Sequence, residues 1–228
     1  MQVTGNSKLS IQFSLDGYLY RIYDGQSLVS KSDWIEAGNV NSQPEFEYSY
    51  DEVEISILTP KVSIFPKSFF NKDGARELLG EVVHLADDEE VTYVEDDGLE
   101  VVTVFSSKVE NLDLLTLINM LSEKASKSFS FTTELYCLLK EIENLKDNNK
   151  LIASYKDGYL YLVIAEGETL RLANSFKAND FTTAVYFLFN ALKKFQINPE
   201  ISTIYFRTPL DEGQSITLYR YFKAVEQL

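Results

Sequence analysis

The sequence predicts an α/β protein of two similar lobes, each opening with a three-stranded meander. Three observations carry that expectation. The pentapeptide Asp-Gly-Tyr-Leu-Tyr occurs twice, at residues 16–20 and 157–161. In both copies a second glycine turn follows, Asp24-Gly25 and Glu166-Gly167. Beyond each meander, short β-rich runs alternate with segments whose apolar residues recur at helical spacing.

Asp-Gly between apolar runs marks a hairpin, because a type I′ turn needs positive φ at both central residues. The first copy, KLSIQFSLDGYLYRIYDGQSLV, reads as strand, turn, strand, turn, strand, and KLIASYKDGYLYLVIAEGETLRLANS reads the same way. The two turn glycines lie eight residues apart in the first copy and nine in the second. Agreement of both turns favours duplication over coincidence. It predicts that Asp16-Gly17 and Asp157-Gly158 occupy equivalent turns in lobes related by a pseudo-twofold axis.

In the first lobe, Glu52–Pro60 and the following KVSIFP read as strands, and Asn71 caps a short helix near Lys72–Glu81 that carries Leu78 and Leu79. EVTYVEDDGLEVVTVF is a hairpin turning at Asp96–Gly98. A helix near Val109–Leu121 presents Leu112, Leu115, Ile118 and Leu121; KSFSFTT is a strand. Thr133 begins a helix with the stripe Leu135, Leu138, Leu139, Ile142 and Leu145. In the second lobe, Asp180 caps a helix through about Phe195, striped by Phe181, Ala184, Val185, Leu188, Leu192 and Phe195. Tyr186, Phe187 and Phe189 on its other faces predict burial on more than one side. ISTIYFRTP is a strand, and a terminal helix after Ser215 presents Leu218, Phe222, Val225 and Leu228, giving the order βββαβα. The polar KDNNK (146–150) lies just ahead of the second meander. The lobe boundary is placed earlier, with residues 1–126 as a first lobe holding inserted strands and a hairpin, and 127–228 as the second.

Composition narrows the function classes. With 21 basic and 35 acidic residues the 228-residue chain carries −14, a field that repels phosphate backbones and anionic lipid. Neither nucleic-acid binding nor direct membrane insertion is expected, since no apolar stretch approaches the roughly 20 residues a membrane helix needs. The first residues show neither the charged nor the apolar region of a signal peptide. The single cysteine, Cys137, excludes an internal disulfide framework and suits a reducing cytoplasm.

Motifs for chemistry are scarce. His84 is the one histidine, and no Gly-x-Ser-x-Gly accompanies it. Cys137, between Tyr136 and Leu138 on an apolar helix, reads as a buried inert thiol rather than a nucleophile. The acidic run DDEEVTYVEDDG lacks EF-hand spacing and reads as a solvated edge that blocks sheet pairing. Walker A, Cys-x-x-Cys and His-Glu-x-x-His motifs are absent.

The segments LSIQFSLDGYLYRIYD, TPKVSIFPKSFF, VFSSKVENLDLLTLIN and NSFKANDFTTAVYFLFNALKKFQINPE, spanning most of the chain, carry a family resemblance. The chain resembles a group of Bacteroidetes proteins (domain of unknown function 3822) placed with the actin-like ATPase, ribonuclease H-like fold of actin, sugar kinases and Hsp70. The chain also resembles the actin-like pilus assembly protein PilM, which suggests a functional analogue. The resemblance implies lobes whose first hairpins face a cleft and hold phosphate through Asp-x-Gly followed by Ser or Thr. Here Gly17 follows Asp16 directly and Tyr18 stands where a small hydroxyl residue belongs; Asp157-Gly158-Tyr159 departs the same way. The Gly-Gly element for adenosine is reduced to Gly213 in LDEGQS. These departures imply a pseudo-ATPase: no enzyme activity, no catalytic, cofactor-binding or metal residues, and no cofactor. The expected function is a protein-binding scaffold or adaptor, rich in Tyr and Phe, with an unidentified protein partner. A divergent ATPase or phosphotransferase, or a self-assembling homo-oligomer, are the alternatives.

Overall fold

A computed structural model of the chain describes residues 6–38, 42–106 and 112–228. In chain order the elements are β1 (Ser7–Ser14), β2 (Gly17–Asp24), β3 (Ser27–Lys31), β4 (Ile35–Glu36), β5 (Tyr50–Ile57) and β6 (Val62–Pro66). Then come α1 (Ala75–Gly80), β7 (Val91–Asp96), β8 (Val101–Ser106), α2 (Leu112–Ser122), β9 (Ala125–Thr133) and α3 (Glu134–Glu141). The chain continues with β10 (Asn149–Lys156), β11 (Tyr159–Glu166), β12 (Thr169–Lys177), α4 (Phe181–Lys194), β13 (Thr203–Phe206), α5 (Glu212–Tyr219) and β14 (Ala224–Gln227).

The described residues form two compact units. The first draws on residues 1–59, 86–92 and 106–133, the second on 60–85, 93–105 and 134–228. The units thus part at Thr133–Glu134 instead of between residues 126 and 127, because β9 pairs with β5 along its length. The inserted segments 60–85 and 93–105, expected in the first lobe, group with the second.

Each unit holds a sheet of one design. In the first, the order is β3-β2-β1-β5-β9; in the second it is β12-β11-β10-β13-β14. The first three strands in each are antiparallel neighbours, and the last two join in parallel. A parallel neighbour needs a crossover, which the helical segments supply. A third sheet, β6-β8-β7, is built from the inserted strands.

The meanders superimpose in register at an offset of 142 residues. β1 and β2 map onto β10 and β11 end to end, and Gly25 N–H donates to Asn6 O as Gly167 N–H donates to Asn148 O. The repeated pentapeptide is offset by 141. In the second copy Asp157 (φ 51°) and Gly158 (φ 73°) form the two-residue turn that Asp-Gly predicts. In the first, the turn residues are Leu15 and Asp16, and Gly17 is already paired with Ser14 in β2. Side chains alternate across a strand, so a one-residue slip reverses every side chain. Tyr18 and Tyr20 therefore share the face that Leu160 and Leu162 occupy in the second unit, and Tyr161 takes the face of Leu19.

In the first unit Leu9, Ile11, Tyr18, Tyr20, Val53 and Ile55 alternate onto one face, closed by Phe46 with its ring 5.4 Å from Tyr20. α2 packs against β5 and β9 and buries Leu114, Leu117 and Leu121. Leu112 and Leu115, expected on its buried stripe, are exposed. The segment is apolar almost all round, so periodicity alone permits either face. Val109 lies outside the described residues.

The second unit buries Leu151, Leu160, Leu162, Ile164, Ala184, Leu188, Leu192, Phe206 and Leu218 in one cluster under α4. Asp180 caps α4 as expected, accepting from Thr183 N–H at 2.7 Å. Tyr186 on that helix is 62% exposed, so the burial expected on more than one side does not extend to its ring. The terminal helix is also displaced. Asp211 and Gln214 form a capping box that starts α5 at Glu212, so it ends at Tyr219. Residues 224–227 instead become β14, parallel to β13, and the order is βββαβαβ.

Candidate functional site

The two Asp-Gly hairpins are where the resemblance would place phosphate; the chain itself fills the space at the first and packs at ordinary contact distance at the second. Gly17 has φ 154°, and β4 pairs tightly alongside it: a Cβ there would lie 2.1 Å from Ile35 O and 2.9 Å from Trp34 Nε1. Gly17 pairs with Glu36, and Ala37 N–H donates to Asp16 O at 3.1 Å. A glycine that could admit a ligand close to the backbone is thus used to admit the protein's own strand. Tyr18 does not project beyond the turn. It is fully buried and stacks on Phe13 at 6.2 Å, and burial followed by the charge of Asp113 pushes its phenol up to about 12.

At the second hairpin, Ala178 N–H donates to Gly158 O at 2.7 Å, and Ala178 O accepts from Tyr155 Oη at 3.1 Å. A Cβ on Gly158 would meet Ala178 O and Asn179 Cα at 3.7 Å. Gly213, where the resemblance would place an adenosine element, belongs to the first turn of α5.

One buried charged group lies close by in the same unit. Glu134, at the start of α3, is fully buried; its Oε1 accepts from Ser154 Oγ at 2.6 Å and its Oε2 from Arg207 Nη1 at 2.6 Å. Ser154 and its cross-strand partner Tyr161 lie on the sheet face opposite the α4 cluster, so α3 covers that face. Burial, then the charges of Glu134 and Asp157, push the Tyr161 phenol well above its ordinary value. Both Glu134 oxygens are engaged by donors, and the arrangement ties α3 to β10 and β13 rather than presenting a free base. The sequence reading missed it, since the partners lie 73 residues apart.

The acidic run is a solvated edge only in part: Asp87, Asp88, Glu90 and Asp97 are exposed and β7 is an edge strand, but Glu89 and Asp96 are buried. Glu89 is buried and accepts from Ser106 Oγ at 2.6 Å and Ala86 N–H at 2.9 Å. Glu95 pairs with Lys67 at 2.9 Å and Lys72 at 3.3 Å, and Lys67 also pairs with Asp97. Asp96 accepts from Leu99 N–H, Tyr136 Oη and Lys140 Nζ. Its burial acts to raise the carboxyl's pKa, but these donors hold it below the ordinary value. Among the described residues no group of three or more His, Cys, Asp or Glu side chains is placed to hold a metal ion. His84 is exposed and lines a pocket of about 300 Å³ with Arg76 and Glu77. Cys137 is buried. No helix among the described residues is long and apolar enough to cross a membrane.

Solved structures with the same fold are known. A Bacteroides thetaiotaomicron protein with actin-like ATPase fold and unknown function is 21% identical, with 98% of this chain and 91% of that one covered and a TM-score of 0.71. The PilM–PilN type IV pilus biogenesis complex matches at 12% identity over 97% and 88% of the chains, TM-score 0.54. The cytoplasmic domain of EpsL, an inner-membrane component of the Vibrio cholerae type II secretion system, matches at 12% identity over 91% and 84%, TM-score 0.53. No curated protein matches the chain. These likenesses fix the fold, and the sequence model of one family spans residues 1–225: the chain belongs to the family described as Protein of unknown function (DUF3822), and its fold is that of the actin-like ATPases.

Proposed function

We propose that this protein is a non-catalytic scaffold that keeps the actin-like fold and works by binding another protein. The observation that carries this reading is the pairing of β4 against Gly17, which sets Ile35 O so close that not even a Cβ would fit there. Nucleotide sites of this fold counter the phosphate charge with backbone amides, a metal ion and a basic side chain. The first turn offers Asp16 and no cation; the second offers Asp157 beside Lys156. Similarity to the PilM–PilN complex supports a protein partner.

Isothermal titration with Mg-ATP, together with a phosphate-release assay, tests the reading. Neither heat nor phosphate above the buffer rate is expected, and Asp16→Ala or Asp157→Ala should change stability by about 1 kcal/mol at most, as at an ordinary surface turn. Micromolar Mg-ATP binding, or phosphate release abolished by Asp16→Ala, would establish the protein as a divergent ATPase instead.

A further inference from the structure

The charge of this chain is unevenly placed. Residues 181–228 hold five basic and four acidic groups, whereas residues 1–180 hold 16 and 31. One of the five basic groups, Arg207, is consumed by the buried pair with Glu134. The other four, Lys193, Lys194, Arg220 and Lys223, make no salt bridge among the described residues. Lys193 and Lys194 lie in the last turn of α4, Arg220 and Lys223 in the turn between α5 and β14, and the Phe189–Tyr221 ring contact brings these two segments together.

The same surface carries exposed rings. Tyr186 is 62% exposed and Tyr221 48%. Phe189 and Lys193 follow Tyr186 on one face of α4 at i+3 and i+7, and the Phe189 ring lies edge-on to Tyr221 at 5.0 Å. The α5–β14 turn is held rigidly. Phe222 beneath it is buried, Tyr221 N–H and Phe222 N–H both donate to Leu218 O at 3.0 Å, and Lys223 N–H reaches Pro199 O and Ser202 O. Lys193 and Lys194 also complement the C-terminus of α4, as Arg220, the C-cap of α5, does for that helix, but Lys223 has no such role, and the rings are not explained by it. Glu200, in the 199–202 turn that meets Lys223, is the acidic group of the patch.

Building on the scaffold reading above, we infer that this face is a docking surface for an acidic segment of another protein bearing Leu or aromatic side chains. Tyr and Arg are the residues that anchor interface hot spots, and a pre-ordered patch lowers the entropy lost on binding. The opposite charge draws an acidic segment to the only unpaired cationic cluster of this region, whereas the excess of acidic groups in residues 1–180 opposes a long polyanion. A nucleic acid needs a track of phosphate contacts that four cations and Glu200 do not supply.

Fluorescence anisotropy with a labelled peptide alternating Glu with Leu and Tyr tests the inference, alongside the same peptide with Lys for Glu and an oligo-uridine RNA. The acidic peptide should bind, and weaken several-fold as NaCl rises from about 50 to about 300 mM, as screened charges must. Lys193→Glu/Lys223→Glu and Tyr221→Ala should each weaken it at least tenfold at unchanged melting temperature, while Lys150→Glu, elsewhere in the unit, leaves it unchanged. No binding of the acidic peptide, equal binding by the charge-reversed protein, or tighter binding of the RNA would overturn the assignment. Sedimentation showing self-association abolished by Lys193→Glu/Lys223→Glu would replace the partner with a second copy of the chain. The Mg-ATP titration is independent, so the scaffold reading and the docking face fail separately.

Discussion

Gly17→Ala asks directly whether the first hairpin is sealed by the chain itself. The added methyl would sit 2.1 Å from Ile35 O, a backbone atom that cannot rotate away, and 2.9 Å from Trp34 Nε1. Relief requires β4 to lift, losing its pairing to Gly17 and the Ala37 N–H to Asp16 O bond. Overpacking of this kind costs about 1–3 kcal/mol, and each backbone bond adds about 1 kcal/mol. A total near 3 kcal/mol lowers the melting temperature by roughly 6–12 °C for a chain of this size. Gly25→Ala is the control: its φ of 58° is also positive, but no atom lies within 4 Å of a Cβ there, so only the backbone conformation costs, about 1–2 kcal/mol. Urea unfolding of the two variants gives the difference, and Trp34, the sole tryptophan, reports movement of β4 through its fluorescence. If Gly17→Ala costs no more than Gly25→Ala and leaves the Trp34 emission unchanged, β4 does not close over the turn.

Arg207→Ala leaves Glu134 buried without its cation and should cost about 3–5 kcal/mol in denaturant unfolding; adding Glu134→Gln to that variant should recover part of the loss. Because the Asp96 carboxyl is held below its ordinary value in the folded state, its contribution is complete above about pH 4 and disappears as pH falls through the lowered folded value. The stability gap between wild type and Asp96→Asn should therefore narrow on acidification from about pH 6 to about pH 3, and a gap that widens would contradict the hydrogen bonding found at Asp96. Asp180→Ala, which removes the cap of α4, should cost about 1 kcal/mol by thermal melting, and no loss would mean that Thr183 N–H finds another acceptor.

Local chemistry made much of the fold legible. Both meanders, the Asn71 and Asp180 caps and the α3 stripe from Leu135 to Leu145 follow from turn chemistry, capping and period. What misled was whatever depended on distant partners. Leu218, Phe222, Val225 and Leu228 fit a helical stripe, but the pairing available along β13 turns residues 224–227 into a strand. Asp16-Gly17 has the letters of a type I′ turn, yet β4 recruits Gly17 into β2 and moves the turn back by one residue. The surroundings of the Asp-Gly turns were not legible: neither Trp34–Ile35 beside Gly17 nor the Glu134–Arg207 pair leaves a local signal, since each contact is made by tertiary folding.

The interleaving of the two units along the chain bears on how the protein is made. Synthesis runs from the N-terminus and domains generally fold as units as they emerge. The first unit has all its strands once Thr133 has been made. By then residues 60–85 and 93–105 have also been made, yet they belong with a sheet whose first strand begins only at Asn149. During that interval β6 and β8 can satisfy each other's backbone as a hairpin-like pair but must wait for the rest of their unit. A fragment cut at residue 133 would strand them permanently, and residues 134–228 expressed alone would lack them, so neither unit corresponds to a contiguous piece of the gene.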